Sequence, residues 1–185
     1  MAHHLCPWWL GYLLASPVRR WMHDPAAILG PFVSEGMVVL EPGPGMGFFT
    51  LELARRVGPK GRVVAIDVQP RMLEGLVKRA TKAGVIARID ARLAKGENLG
   101  VEDCAGQVDF ALAFAMVHEA ANPEALFKDI HNCLKPGGKL LVAEPVGHVP
   151  AQAFAVSLDQ AGRAGFTPES RPGIRRCHAA VLVRS

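Results

Sequence analysis

The chain has 185 residues, the size of one domain, and half of them are hydrophobic while 21% are charged. This composition is typical of an ordinary globular protein. The formal net charge is +4, from 21 basic and 17 acidic residues, and the basic residues are scattered along the chain. Without a basic stripe carrying interleaved aromatics, the sequence gives no strong signal for nucleic acid as a partner.

Residues 1–36 are predicted to form an N-terminal helical segment, and residues 37–185 the main domain, the whole being one compact unit. The apolar run Cys6–Ala15 has only ten residues, whereas a membrane span needs about 20. No Lys or Arg precedes this run, as one would in a signal peptide. Trp8 and Trp9 make the segment a candidate lid over a ligand pocket, and a simple cover for the core is the alternative of equal weight.

The four cysteines, Cys6, Cys104, Cys133 and Cys177, are too far apart in sequence for a CxxC motif. His3, His4 and Cys6 could form a small ligand cluster, but a polar start to the chain is the preferred interpretation, so we expect no metal site. Wide spacing of this kind is typical of reduced thiols, which indicates a cytoplasmic protein.

From residue 37 onward, short β-type runs alternate with helical stretches. In chain order the sequence predicts a strand at Met37–Glu41, a helix at Phe48–Val57, a strand at Arg62–Asp67, a helix at Met72–Ala83, strands at Ile86–Leu93 and Val108–Phe114, a helix at Pro123–Leu134, a turn at Lys135–Gly138, a strand at Lys139–Ala143, a helix at Ala151–Ala164 and a strand at His178–Arg184. The strand runs are apolar throughout, which suits strands covered on both faces. The order predicts an α/β, doubly wound, mostly parallel sheet that an antiparallel C-terminal edge strand closes.

The first predicted strand runs into a glycine loop, Glu41-Pro-Gly-Pro-Gly-Met-Gly47, and a helix follows at once. A doubly wound sheet binds its ligand beyond the carboxyl ends of its strands. Glycines at this point let the backbone turn sharply and approach a ligand closely. The N-terminus of the following helix points at the same place. The loop is therefore the first candidate ligand site.

The spacing of the loop argues against a dinucleotide. The nicotinamide fingerprint is G-x-G-x-x-G, whereas Gly43 to Gly47 reads G-x-G-x-G. Two prolines remove N–H donors that a pyrophosphate would use. Glu41 would repel a diphosphate but would attract a ligand that carries an ammonium and a sulfonium. The charge pattern thus favours S-adenosylmethionine over NAD.

Asp67 ends the second predicted strand, 20 residues after Gly47. A carboxylate at this position can accept two hydrogen bonds from ribose hydroxyls. The feature is common to NAD and S-adenosylmethionine sites, so it supports an adenosine ligand without choosing between them.

With these motifs the sequence resembles the class I S-adenosylmethionine-dependent methyltransferases, and is similar to the small-molecule, ubiquinone/menaquinone-biosynthesis-like type. The matching segments are VVLEPGPGMG (Val38–Gly47), VVAID (Val63–Asp67), VDFALAFAMVHE (Val108–Glu119), LKPGGKLL (Leu134–Leu141) and AGF (Ala164–Phe166). The resemblance implies a Rossmann-like sheet of seven strands, the last one antiparallel. It also implies S-adenosylmethionine as cofactor and S-adenosylhomocysteine as product.

The resemblance assigns roles to individual residues. It implies that the methionine part of the cofactor faces Glu41, Gly43, Gly45, Met46, Gly47 and Ala115. Asp67 would hold the ribose, and Val68 would pack on the adenine. For the adenine edge two alternatives stay open, Asp90 and the backbone at Leu93 and Ala94, because the register of the third strand is unclear from the sequence.

His118 and Glu119 follow the fourth strand and are the candidate catalytic residues, since a histidine can take a proton near neutral pH. Glu144 and His148 follow the fifth strand at the same ligand-facing edge. Each of these side chains has a structural alternative, a hydrogen bond or a cap, and methyl transfer needs a base only when the acceptor loses its proton early.

The resemblance and the compact chain indicate a methyltransferase that acts on a small-molecule acceptor. The alternatives are a protein or RNA methyltransferase, a non-catalytic S-adenosylmethionine-binding subunit, and a nucleotide-binding oxidoreductase. An N/D-P-P-Y/F motif after the fourth strand, which many methyltransferases of base or amide nitrogen carry, is absent at Ala113–Met116. A homodimer is compatible with the sequence.

Overall fold

The computed structural model describes residues 22–94 and 98–185. The proposed lid with Trp8 and Trp9 lies outside these residues. The chain divides near residue 94 into two compact units. We call residues 22–94 the N-terminal unit and residues 98–185 the C-terminal unit.

The N-terminal unit alternates helices and strands. Its elements are α1 (Pro25–Leu29), β1 (Val38–Pro42), α2 (Thr50–Val57), β2 (Arg62–Asp67), α3 (Pro70–Lys82) and β3 (Ile89–Leu93). The three strands are parallel and lie in the order β3-β2-β1. Asp67, the last residue of β2, pairs with Leu93, the last residue of β3. The carboxyl ends of these strands therefore lie level with one another.

Both long helices of this unit are amphipathic. In α2 the buried residues are Thr50, Leu53, Ala54 and Val57, which is the spacing of one helix face. In α3 the buried face includes Leu73 and Leu76, and Pro70 stands in the first turn, where its missing N–H costs nothing.

The C-terminal unit supplies the remaining four strands. Its elements are β4 (Val108–Phe114), α4 (Pro123–Cys133), β5 (Leu134–Pro145), α5 (Ala151–Arg163), β6 (Phe166–Ser170) and β7 (Cys177–Arg184). The strands lie in the order β4-β5-β7-β6, with β4 and β5 parallel and β7 antiparallel to both of its neighbours. The seven strands, mostly parallel and alternating with helices, confirm the predicted α/β fold class.

The C-terminal strand differs from the prediction in one respect, because it is not at the edge of the sheet. β7 lies between β5 and β6, and β6 is the outermost strand. The central residues of β7, Ala179–Leu182, are buried, which requires a neighbour on each side. β6 carries Pro168 and is exposed after its first residue, as an edge strand can be.

The segment Lys135–Gly138, predicted as a turn before the fifth strand, lies inside β5 as an irregularity. Pairing between β4 and β5 jumps from Val108 with Leu134 to Phe110 with Lys139. In the N-terminal unit, Ile86–Arg88 forms a 3-10 turn rather than the start of β3.

None of the helices in the described part of the chain has the length and apolarity that a bilayer crossing needs. Cys104, Cys133 and Cys177 are thiols.

Candidate functional site

The glycine loop after β1 keeps all three of its glycines in the left-handed region, with φ of 68° at Gly43, 54° at Gly45 and 82° at Gly47. Residues other than glycine rarely adopt this backbone conformation. A Cβ atom built on Gly45 would meet nothing within 4 Å, so open space lies beside the loop there. On Gly47 it would come within 2.4 Å of Leu76 Cδ1. Gly45 therefore borders the open side of the loop, and Gly47 its packed side.

The N–H groups of these glycines are used inside the protein. They donate from Gly43 to the Ile66 carbonyl (2.8 Å), from Gly45 to Asp67 Oδ2 (3.1 Å) and from Gly47 to the Pro44 carbonyl (3.0 Å). The prolines of the loop have no N–H to offer. A cradle for a diphosphate needs several backbone N–H groups pointing at the ligand. This loop directs its glycine N–H groups inward instead.

Asp67 holds the loop from the end of β2. Its side chain is 8% exposed, and Oδ1 accepts the Gln69 N–H at 2.9 Å while Oδ2 accepts the Gly45 N–H at 3.1 Å. An ionised carboxylate has about four acceptor positions. The backbone N–H groups of Gly45 and Gln69 use two of them, which fixes the orientation of the carboxylate.

Two exposed apolar side chains flank Asp67. Val68 follows it in the chain and is 49% exposed, and Leu93, its partner on β3, is 44% exposed. The Ala94 N–H donates to the Asp67 carbonyl at 3.0 Å. The carboxylate thus stands between apolar surfaces that a planar ring can cover.

The pairing of β2 with β3 separates the two adenine-edge alternatives. Leu93 and Ala94 lie beside Asp67, whereas Asp90 pairs with Val64 in the middle of the strand. Asp90 Oδ2 accepts from Arg92 at 3.1 Å and 2.7 Å. The structure brings the Leu93–Ala94 backbone to the strand end and leaves Asp90 away from it.

Met46 and Glu41 are both buried, each 3% exposed. Met46 packs over Gly75 of α3, where a Cβ would come within 2.8 Å of Met46 Cγ. Its carbonyl accepts a hydrogen bond from Arg79, a contact that the sequence did not reveal. Glu41 is the second-last residue of β1, next to the loop, and brings a carboxylate to this part of the unit.

In the C-terminal unit, Ala115 follows β4 with φ of 56°, a conformation that a residue with a Cβ adopts only at some cost. Its N–H donates to the Ala143 carbonyl of β5 at 2.7 Å. The 3-10 turn Val117–Glu119 follows directly. Ala115 and Met116 thus connect β4 to this turn.

Glu144, fully buried near the end of β5, binds that turn. Its Oε1 accepts the N–H groups of Val117 (2.7 Å) and His118 (3.3 Å), and Oε2 lies 2.6 Å from His118 Nδ1. The sequence placed Glu144 at this edge but did not show that it pairs with His118.

Charged and aromatic groups surround the His118 ring. The hydrogen bond to Glu144 raises the pKa of His118 above 6.5, and attraction from Glu144 and Glu119 adds to the rise, against an opposing effect of burial. Nε2 lies 3.8 Å from Glu119 Oε1, beyond hydrogen-bond reach. The His148 ring lies nearly parallel, with centroids 6.2 Å apart. A histidine oriented in this way can exchange a proton through Nε2.

The residues of the N-terminal unit fit S-adenosylmethionine. Asp67 can bind ribose hydroxyls, Val68 and Leu93 offer apolar surface for adenine, and Glu41 supplies negative charge for a cationic ligand. The inward glycine N–H groups suit a ligand without phosphates. Among residues 22–94 and 98–185, no group of three or more His, Cys, Asp or Glu side chains is arranged to hold a metal ion. Fold and site together define an α/β nucleoside-binding domain of the type that uses this cofactor.

The family model described as "Methyltransferase domain" matches residues 33–164, and the chain belongs to this family. Membership implies S-adenosylmethionine as the cofactor.

Relatives and solved structures agree with this assignment. The chain is 31% identical over 126 residues to the ubiquinone/menaquinone biosynthesis C-methyltransferase of Hydrogenovibrio crunogenus, covering 68% of this chain and 48% of that protein. It is 28% identical to the arsenite methyltransferase of Halobacterium salinarum, covering 64% and 29%. The chain thus spans about half, or less, of these relatives. A SAM dependent methyltransferase from Aquifex aeolicus has the same fold, with a TM-score of 0.87 at 24% identity over 98% of this chain and all of the other.

Proposed function

We propose that the protein transfers the methyl group of S-adenosylmethionine to a small-molecule acceptor, with the N-terminal unit holding the cofactor and His118 acting on the acceptor. The relatives named for ubiquinone/menaquinone biosynthesis and for arsenite support a small acceptor. We also propose a cytoplasmic location, which the three thiols support.

The observation that carries the cofactor assignment is the Asp67 carboxylate, fixed by Gly45 and Gln69 between exposed Val68 and Leu93. Asp67 would accept the ribose hydroxyls, Val68 and Leu93 would pack on the adenine, and the Leu93–Ala94 backbone would meet the adenine edge. Glu41 would attract the cationic methionine part along the open side of Gly45. Asp90 has no role in this proposal, because Arg92 already binds it in mid-strand.

The test is calorimetric titration with S-adenosylmethionine, S-adenosylhomocysteine and NAD. We expect the first two to bind and NAD not to bind. Asp67→Ala would remove the two proposed hydrogen bonds to the ribose hydroxyls. Because hydrogen bonds to a charged group contribute about 1.5–3 kcal/mol each, cofactor binding should weaken by ~100-fold or more.

Asp90→Ala is the matched control, since it removes a carboxylate from the neighbouring strand. It should bind the cofactor as the parent does, and circular dichroism should show both variants folded. Binding of NAD alone, or equal loss in the two variants, contradicts the proposed site. Cofactor binding without methyl transfer to any small molecule would favour a protein or RNA acceptor, or a non-catalytic subunit.

A further inference from the structure

Glu144 and His118 form a pair that the sequence did not reveal, and it constrains the chemistry of the acceptor. We infer that Glu144 is a positioning residue that holds His118 with Nε2 as proton acceptor, and that the methyl acceptor is a weakly acidic hydroxyl compound of the phenol or enol class. This inference rests on the proposed function and adds the acceptor class to it.

Geometry fixes the tautomer of His118. Oε2 of Glu144 lies 2.6 Å from Nδ1, and an ionised carboxylate can only accept. Nδ1 must therefore carry the proton, and the lone pair of a neutral ring lies on Nε2. Glu144 cannot turn away, since Oε1 accepts the backbone N–H groups of Val117 and His118. A buried carboxylate held by three donors is a rigid support for one ring orientation.

The His118 side chain is partly accessible, unlike the carboxylate that holds it. The His118 side chain is 29% exposed, whereas that of Glu144 is 1% exposed. Among residues 22–94 and 98–185, the charged and aromatic groups that face the ring are Glu144 from β5, Glu119 from the same turn and His148 from the segment after β5. Of these three groups only Glu144 is within hydrogen-bond distance, and it binds Nδ1, so the proposal assigns contact with the acceptor to Nε2.

This arrangement serves an acceptor that must lose a proton. The acceptor's O–H proton moves to His118 Nε2, while an oxygen lone pair forms the new O–CH3 bond. The S–CH3 bond of the sulfonium breaks, and its electron pair stays on sulfur. The products are the methyl ether, S-adenosylhomocysteine and an imidazolium paired with Glu144, which then releases its proton to water. An acceptor atom without a proton, such as a thioether sulfur, would not need the proton acceptor that His118 and Glu144 provide.

The decisive variant is Glu144→Gln. Its amide oxygen can still accept the two backbone N–H groups, so the turn keeps its support. The amide nitrogen then faces Nδ1 as a donor, which forces the proton onto Nε2 and removes the proton acceptor. Glu119→Gln is the matched control: it removes the same charge next to the ring but no hydrogen bond to it.

Long-range nitrogen NMR of the histidine rings reads the tautomer directly, with the His118 signals identified by their loss in His118→Asn. Above the His118 pKa we expect the Nδ1–H form in the parent and in Glu119→Gln, and the Nε2–H form in Glu144→Gln. The pKa of His118 should fall in both Gln variants, further in Glu144→Gln. The Nε2–H form in the parent, or no change of tautomer in Glu144→Gln, overturns the positioning role.

Turnover tests the acceptor class, with a series of phenols against thioethers and tertiary amines. We expect methyl ethers from phenols, at least a tenfold lower rate in Glu144→Gln, and a rate that rises with pH through the His118 pKa in the parent. Turnover of acceptors without a proton, or no phenol turnover by protein with bound cofactor, overturns the acceptor class. Cofactor affinity, measured separately by calorimetry, should not change in Glu144→Gln. If the parent protein did not bind the cofactor, the proposed function would be contradicted, whichever tautomer His118 adopts.

Discussion

Two glycines of the loop after β1 offer a sharp test of how the loop is built. Gly45 and Gly47 both have positive φ, 54° and 82°, so alanine at either position pays about 1–2 kcal/mol for a left-handed conformation. Only Gly47 faces packed atoms, with Leu76 Cδ1 at 2.4 Å and Leu51 Cδ1 at 2.9 Å from an added Cβ. Overpacking of this kind costs about 1–3 kcal/mol more.

The two substitutions should therefore differ in the property that each changes most: stability for Gly47→Ala and cofactor affinity for Gly45→Ala. We expect Gly47→Ala to destabilise the protein by about 2–5 kcal/mol and Gly45→Ala by only ~1–2 kcal/mol. Gly45→Ala places its methyl group in the open space where the cofactor is expected, so it should lower cofactor affinity by about tenfold, or ~1.4 kcal/mol.

Urea unfolding measures the first effect and calorimetry the second. With a slope of roughly 2 kcal/mol per molar urea, a difference of about 2 kcal/mol separates the two midpoints by ~1 M. The slopes must agree among parent and variants for this comparison to hold. Equal midpoints would refute the packing of Gly47 against α3, and unchanged affinity in Gly45→Ala would refute the open side of the loop as cofactor space.

Three further predictions concern the core and the pH dependence of stability. Thr50 Oγ1 is buried without a hydrogen-bond partner among the described residues. Thr50→Val should therefore raise the free energy of unfolding by about 1 kcal/mol, which urea unfolding would show as a higher midpoint. A lower midpoint would contradict this. Phe127 is fully buried and Val156 is 53% exposed, so Phe127→Ala should lose about 3–5 kcal/mol and Val156→Ala less than about 0.5 kcal/mol in the same assay. The pKa of His118 is raised in the folded protein. Protonated His118 therefore stabilises the fold fully below pH 6.5, and this contribution is lost as the pH rises through the pKa of the folded state. The urea midpoint should fall over that range in the parent and fall less in Glu144→Gln, and equal slopes would contradict the pairing.

The sequence predicted most of the fold, because strands and helices depend on local patterns, and it placed Asp67 and the glycine loop at the strand ends where the structure has them. Continuous apolar runs marked the buried strands, and glycine spacing marked the loop. Asp67 could be found because it directly ends a strand. The order of the last two strands could not be found in this way, since β6 has only five residues, is mostly exposed and shows no apolar run. Two features of the sequence could have shown the order: Pro168 in β6 is typical of an edge strand, and the apolar centre of β7 is typical of an inner strand.

The pairing of Glu144 with His118 could not be predicted from the sequence, because it depends on the register between β4 and β5. If the pairing of Val108 with Leu134 continued evenly, Phe114 would stand opposite Leu140. In the structure Phe114 stands opposite Ala143, because residues 135–138 add extra length to β5. This slip places Glu144 beside the residues that follow β4, where it meets the turn that begins after strained Ala115. A segment that the sequence presents as a simple turn thus decides which carboxylate reaches the histidine, and only the paired strands reveal it.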